Sequence, residues 1–158
     1  MNQTEITIRE AHEQDLETIL HHRRSMFRDM GEGSVEQLDR MVEVARPWLV
    51  RALENGSYRH WLASDASGRV AAGGGVLLSP WPANPFDPCV ERAVILNVYT
   101  EREFRRRGIA ARVMQTIVTW CESYGLRAVN LHASEEGRAL YEKMGFTQTN
   151  EMRLKFRV

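Results

Sequence analysis

A chain of 158 residues is long enough to bury a hydrophobic core and suits one domain, here residues 1–158. With 43% apolar and 27% charged residues, its balance is that of an ordinary globular protein. The 21 basic residues cancel the 21 acidic ones, which argues against a nucleic-acid binder that works through a general electrostatic footprint.

Residues 1–5 carry no apolar stretch of the kind a secretory signal needs. Ile6 and Ile8 alternate with polar neighbours, which predicts a strand over residues 4–9. Leu16, Ile19, Leu20, Phe27 and Met30 then recur at helical spacing, with Gly31 placed to follow the last turn. Ser34 and Gln37 have the spacing of a capping box and open a second helix carrying Leu38, Met41, Val42, Ala45, Leu49 and Leu53. Pro47 should break or kink it. Residues 57–64 and 69–79 read as a hairpin turning at Asp65-Ala66-Ser67-Gly68. Gly73, Gly74 and Gly75 lie inside its second strand, where close packing or a bulge is expected.

Pro80, Pro82, Pro85 and Pro88 punctuate an irregular loop that also holds Trp81 and Phe86. Residues 92–100 form a near-continuous apolar run, as in a strand buried on both faces. A helix starts near Gly108, places Ile109, Val113, Ile117, Trp120 and Tyr124 on one side, and stops at Gly125. Residues 127–133 predict a further strand. Ser134 is a natural N-cap for a short helix over residues 135–144, with Glu135 and Glu136 at its positive end and Gly145 beyond its last turn. Residues 151–158 alternate strictly, with Met152, Leu154, Phe156 and Val158 on one face, and predict a last strand. The order β-α-α-β-β-β-α-β-α-β implies an α/β sandwich around a mixed sheet.

Two cysteines, Cys89 and Cys121, stand far apart and match no metal or redox spacing, and five histidines form no ligand pattern. No metal is expected, and two free thiols fit a reduced cytoplasm. No run is long enough to span a membrane.

The densest basic run, Arg105-Arg106-Arg107, sits just before a helix start, where the first backbone N–H groups have no intrahelical partner. A cation there opposes the helix dipole at a cost of roughly 0.3–1 kcal/mol. Three of them make sense if an anion binds, and Gly108 with the small Ala110 would let a phosphate oxygen approach the backbone. On these residues alone, a solvated basic patch is an equal reading. No Walker pattern is present and no Gly-x-Gly-x-x-Gly follows a strand.

The sequence resembles the GNAT superfamily of acetyl-CoA-dependent N-acetyltransferases. The family's Gln/Arg-x-x-Gly-x-Gly/Ala signature reads here Arg105-Arg106-Arg107-Gly108-Ile109-Ala110, after an apolar strand. A second stretch, Leu140-Tyr141-Glu142-Lys143-Met144-Gly145-Phe146, follows the next strand as it does in that family. The resemblance spans nearly the whole chain and implies an α/β/α sandwich with a central mixed, mostly antiparallel sheet. It implies that the backbone of Val98 and Thr100 bonds the pantetheine arm of acetyl-CoA. The N–H groups of Arg105, Arg106, Arg107, Gly108, Ile109 and Ala110 would surround its pyrophosphate. Ser134 stands where many members place an asparagine against the cofactor. Tyr141 takes the position of the general acid that protonates the departing CoA thiolate after direct attack by a primary amine.

The base is open: Val94 stands where some members carry a glutamate, and Glu91, Asn97 with a water, and His132 are candidates. The acceptor, a small-molecule or peptide amine, would lie between the first two helices and the proline-rich loop. Arg23, Met26, Phe27, Met30, Trp48, Trp81 and Phe86 are its candidate lining. The basic stretch His22-Arg23-Arg24 would attract an acidic acceptor, but it reads first as a solvated face. Many members are dimers, so a homodimer is compatible with the resemblance. A CoA-binding sensor domain without turnover is the alternative.

Overall fold

The computed structural model describes residues 5–156. Five strands follow one another in space in chain order: β1 (Thr7–Glu10), β2 (Tyr58–Ser64), β3 (Val70–Pro80), β4 (Glu91–Thr100) and β5 (Val129–Leu131). The first four pair antiparallel, and β5 joins β4 in parallel. The sheet is therefore mixed and mostly antiparallel. The expected first strand forms from Thr7; Thr4 lies outside the described residues.

Helices α1 (Leu16–Asp29) and α2 (Val35–Glu54) cover one face, where Ile19, Leu20, Leu49 and Ala52 pack with Tyr58 and Leu62 of β2. On the other face α3 (Ile109–Tyr124) sets Ile109, Val113, Met114, Ile117 and Cys121 against Trp61, Ala72, Val76, Ala93 and Ile95. Helix α4 (Glu135–Lys143) follows β5. Fully burying one such aliphatic side chain stabilises the fold by about 1.5–3 kcal/mol. No helix among the described residues is long and apolar enough to cross a membrane.

The capping box of α2 is present: Gln37 N–H donates to Ser34 Oγ at 3.2 Å, and Ser34 N–H donates to Gln37 Oε1 at 2.8 Å. Of the break or kink expected at Pro47, the break does not occur: α2 runs through it to Glu54. Both Pro47 and Glu43, whose carbonyl loses its helical donor, are exposed, so water takes the place of the missing bond. The turn at Asp65 is held by its side chain, whose Oδ1 accepts from Ser67 N–H at 2.9 Å and Arg69 N–H at 3.0 Å.

The three strand glycines answer to close packing. A Cβ on Gly73 would stand 2.7 Å from His60 Nε2, and one on Gly74 would stand 3.2–3.3 Å from Ile117, Val113 and Val98. The β3–β4 register shifts between Gly73 and Gly75, a bulge that places Asn97 of β4 at φ 58°.

The last expected strand does not form over residues 151–156, and Val158 lies outside the described residues. Residues 151–156 carry no ladder, and Met152, Leu154 and Phe156 are 94%, 78% and 82% exposed. Alternation specifies which residues share a face, but a strand also needs an edge to pair with. The neighbouring β5 pairs with β4 only over Val129–Leu131, short of the expected residues 127–133. The tail is tied by side chains instead, Glu151 to Arg92 and Arg153 to His132. A groove of about 1010 Å³ lies beneath it, lined by Cys121, Leu126, Leu131, Tyr141, Phe146 and Met152.

Candidate functional site

The arginine turn joins the end of β4 to α3. Buried Phe104 anchors it, while Arg106, Arg107 and Gly108 are exposed. Arg106 has φ 60° and Gly108 has φ 72°, so the backbone enters the left-handed region twice within three residues. Backbone that alternates in this way can turn successive N–H groups to one side, the geometry of an anion-binding nest. Helix α3 opens at Gly108 with no side-chain cap and no acid in its first turn. By contrast, α2 and α4 are capped by Ser34 and Ser134, the latter accepting from Gly137 N–H at 3.1 Å. An uncapped helix start forgoes about 1 kcal/mol. The side chains divide their work. Arg105 turns back, donating to Thr100 O at 3.0 Å and to Asp29 Oδ2 at 2.6 Å, so it braces the turn. Arg107 stacks on Phe104, and its charge and that of Arg106 are left to solvent or a ligand.

Asp29, at the C-terminal end of α1, is the piece the sequence reading passed over. Its carboxylate accepts from Arg102 at 2.7 Å, Arg105 at 2.6 Å, Arg28 at 3.2 Å and Tyr99 O–H at 3.2 Å. Those donors, Arg102 foremost, hold its pKa well below the usual carboxylate range. A carboxylate at that end of a helix opposes the dipole, and this misfit is the signal that would have found it.

Beside the turn, β4 changes partners. It pairs with β5 only as far as Ile95, while residues 96–100 run on with no strand on that side among the described residues. The backbone of Val98 and Thr100 thus lies along a sheet edge. The bulge also redirects side chains: Leu96 packs toward α1 and α2, and Asn97 does as well, whereas Val98 faces the α3 side. Asn97 is buried in a polar chain. Arg23 donates to its Oδ1 at 2.7 Å, its Nδ2 donates to Tyr58 Oη at 2.8 Å, and Tyr58 meets His60 Nδ1 at 2.9 Å. Because Asn97 supplies the proton to Tyr58, the tyrosine hydroxyl donates to His60 Nδ1, leaving His60 with its proton on Nε2.

That Nε2 and His22 Nδ1 are buried without a protein partner, and both flank the position a Gly73 side chain would take. His22 Nε2 stands 3.5 Å from Glu101 Oε1. Burial pushes both imidazoles down, His22 to about 4 and His60 to about 3, so both are neutral at pH 7.

Tyr141, on α4, packs edge-on to Phe146 at 6.0 Å and against Gly137, where a Cβ would stand 2.7 Å from its ring. Burial raises its pKa, which keeps the phenol protonated. The other base candidates lie away from the bulge. Glu91 pairs with Pro80 at the opposite end of β4, and His132 stands exposed 3.3 Å from Arg153. In the suggested acceptor lining, Trp48 stacks on Tyr58 and Arg23 lies over Phe27, while Phe86 is 90% exposed and Trp81 carries Arg92. The basic stretch of α1 is not a solvated face: His22 is fully buried, Arg23 is half-buried, and only Arg24, paired to Asp39 at 2.8 Å, behaves as a surface charge.

Residues 16–146 match the model of the acetyltransferase (GNAT) family. Among solved structures, a GCN5-related N-acetyltransferase from Ralstonia eutropha JMP134 superposes with a TM-score of 0.89 at 33% identity, over 96% of this chain and 99% of that one. An acetyltransferase from Clostridium acetobutylicum, solved with acetyl-CoA, gives a TM-score of 0.85 at 23% identity over 97% and 96% of the two chains. Glucosamine-6-phosphate N-acetyltransferase from Arabidopsis thaliana shares the fold at a TM-score of 0.66 and 20% identity, over 96% and 98%. No curated protein matches the chain at comparable significance.

Proposed function

We propose that this chain, which belongs to the acetyltransferase (GNAT) family, moves the acetyl group of acetyl-CoA to a primary amine of a small molecule or peptide in the cytoplasm. The observation that carries the reading is the turn at Arg106 and Gly108, twice left-handed, which opens an uncapped helix beside an unpaired stretch of β4. The N–H groups of Arg105, Arg106, Arg107, Gly108, Ile109 and Ala110 hold the pyrophosphate, with Arg106 and Arg107 adding charge. The pantetheine arm lies along the free edge at Val98 and Thr100, pairing as an added strand would. Acetyl-CoA supplies an activated thioester whose carbonyl then reaches the bulge at Asn97. Backbone N–H groups of β4 near Val98 stabilise the charge that develops on its oxygen. Ser134 uses one lone pair of its hydroxyl oxygen on the α4 cap and keeps its O–H and a second lone pair to offer a ligand. Tyr141, held protonated by burial, donates to the departing thiolate.

Acetyl-CoA at about 100 times its Kd stabilises the fold by about 2.7 kcal/mol. For a domain of this size that raises Tm by roughly 5–10 °C. Differential scanning fluorimetry reads the shift, and a flat titration to millimolar acetyl-CoA removes the reading. Tyr141→Phe is expected to lower kcat by roughly 10²-fold with little change in KM for acetyl-CoA, as followed by thiol release. An unchanged kcat at every pH from about 6 to 9 assigns Tyr141 to packing alone.

A further inference from the structure

Arg23 is a cation partly withdrawn from water with no counter-ion among the described residues. Its guanidinium gives one N–H to the neutral Oδ1 of Asn97 and lies 5.2 Å from the centroid of the Phe27 ring. Its neighbours on α1 are paired, Arg24 with Asp39 and Arg28 with Asp29, but no carboxylate among the described residues reaches Arg23. Taking a charge out of water costs several kcal/mol unless a partner compensates. One amide oxygen and one aromatic face offset part of that. A guanidinium carries five N–H donors in a planar fork, so most remain to be used.

Its aim is fixed from behind. Asn97 cannot flip, because a guanidinium only donates and so requires the amide oxygen on its side, while Nδ2 donates to Tyr58 on the other. The amide oxygen therefore always faces Arg23, and the bulge that holds Asn97 at φ 58° holds Arg23 with it. This is the place on β4 where pairing with β5 has ended and the thioester is expected.

We propose that Arg23 recognises the acceptor, and that the acceptor is an amine bearing an anionic group, a carboxylate or a phosphate, which the free side of the guanidinium binds. The inference rests on the acetyl-transfer reading and names its substrate class. An oxyanion presents two oxygens to the fork, supplies the missing counter-charge, and leaves the amine of the same molecule to reach the thioester.

Matched acceptors test it. β-Alanine is compared with β-alaninamide, and phosphoethanolamine with ethanolamine, by thiol release from acetyl-CoA. The carboxylate or phosphate member is expected to have the higher kcat/KM, and whichever pair separates more identifies the anion. In Arg23→Met the KM of the favoured member rises about 30-fold, the equivalent of about 2 kcal/mol at 1.4 kcal/mol per factor of ten. The neutral partner loses much less, and the Tm shift given by acetyl-CoA is kept. Arg23→Lys restores part of the affinity, because it keeps the charge but loses the fork. Equal turnover of charged and neutral members by the native enzyme overturns the proposal without touching acetyl transfer, and does not depend on any variant folding. Equal losses on both members in Arg23→Met overturn it as well. A chain that takes up no acetyl-CoA overturns both readings together.

Discussion

Gly108→Glu leaves a folded protein that no longer takes up acetyl-CoA. A Cβ at Gly108 meets nothing within 4 Å, so the side chain has room. The cost to the fold is the left-handed backbone at φ 72°, about 1–2 kcal/mol for a residue with a side chain. A domain stable by about 5–15 kcal/mol bears that loss. The ligand meets a different balance. A carboxylate about 4 Å from a phosphate repels it by about 4 kcal/mol at the effective dielectric of a protein surface, on the order of a thousand-fold in Kd. Isothermal titration should show no heat with acetyl-CoA, while thermal melting stays cooperative. Gly108→Ala carries the strain without the charge and should keep most of the affinity. If Gly108→Glu binds acetyl-CoA as tightly as the native chain, the pyrophosphate lies elsewhere.

The second large effect is on acid stability. His22 and His60 ordinarily titrate near 6.5, and burial lowers them to about 4 and about 3 in the folded chain. Above pH 6.5 both are neutral folded or unfolded, and they give no pH dependence. Below it, the unfolded chain takes up protons that the folded one refuses, so stability falls as pH drops. Each imidazole contributes a slope of up to about 1.4 kcal/mol per pH unit, and the loss levels off only below the folded values. Together they remove several kcal/mol between pH 6.5 and 4.5, comparable with the whole stability of many domains. The carboxylates Asp15 and Asp29 are also shifted down, but from an ordinary value of 3.8, so they keep their contribution until pH falls through about 3.8 and the two windows separate. Urea unfolding at pH 7.5, 6 and 5 reads the slope. His60→Gln should roughly halve it, and a native midpoint that is flat over this range would refute the account.

How much of this was legible in the sequence differs by element. Ser34 and Gln37 are three residues apart, and their cap is a local device, so it was readable and is present. Gly31, Gly125 and Gly145 end their helices in the left-handed region for the same local reason. The tail was misread because alternation at Met152, Leu154 and Phe156 says nothing about whether an edge is free to receive it. At Pro47 the helix continues where a break was one of two expected outcomes, because the cost of the missing bond depends on the surroundings of the orphaned carbonyl, a tertiary fact. At the site, the arginine turn was visible as a charge pattern at odds with a helix start. What each arginine does was not visible. Arg105 braces the turn through Asp29, a partner 76 residues away that no local spacing marks. The chain from Arg23 to His60 joins α1, β4 and β2, and only their assembly puts those polar atoms in line.

The reach of Asp29 has a bearing on how the molecule is made. Local turns and helices close cheaply, but a contact between residues 29 and 105 waits until β2, β3 and β4 have been threaded and paired between them. On loop-closure grounds the turn at Arg105 is expected to acquire its shape late. A partly folded chain has the glycine and the arginines but not the clamp that curls them. On the proposed function, acetyl-CoA held at this turn would stabilise the completed fold and not a chain in which the clamp has yet to close.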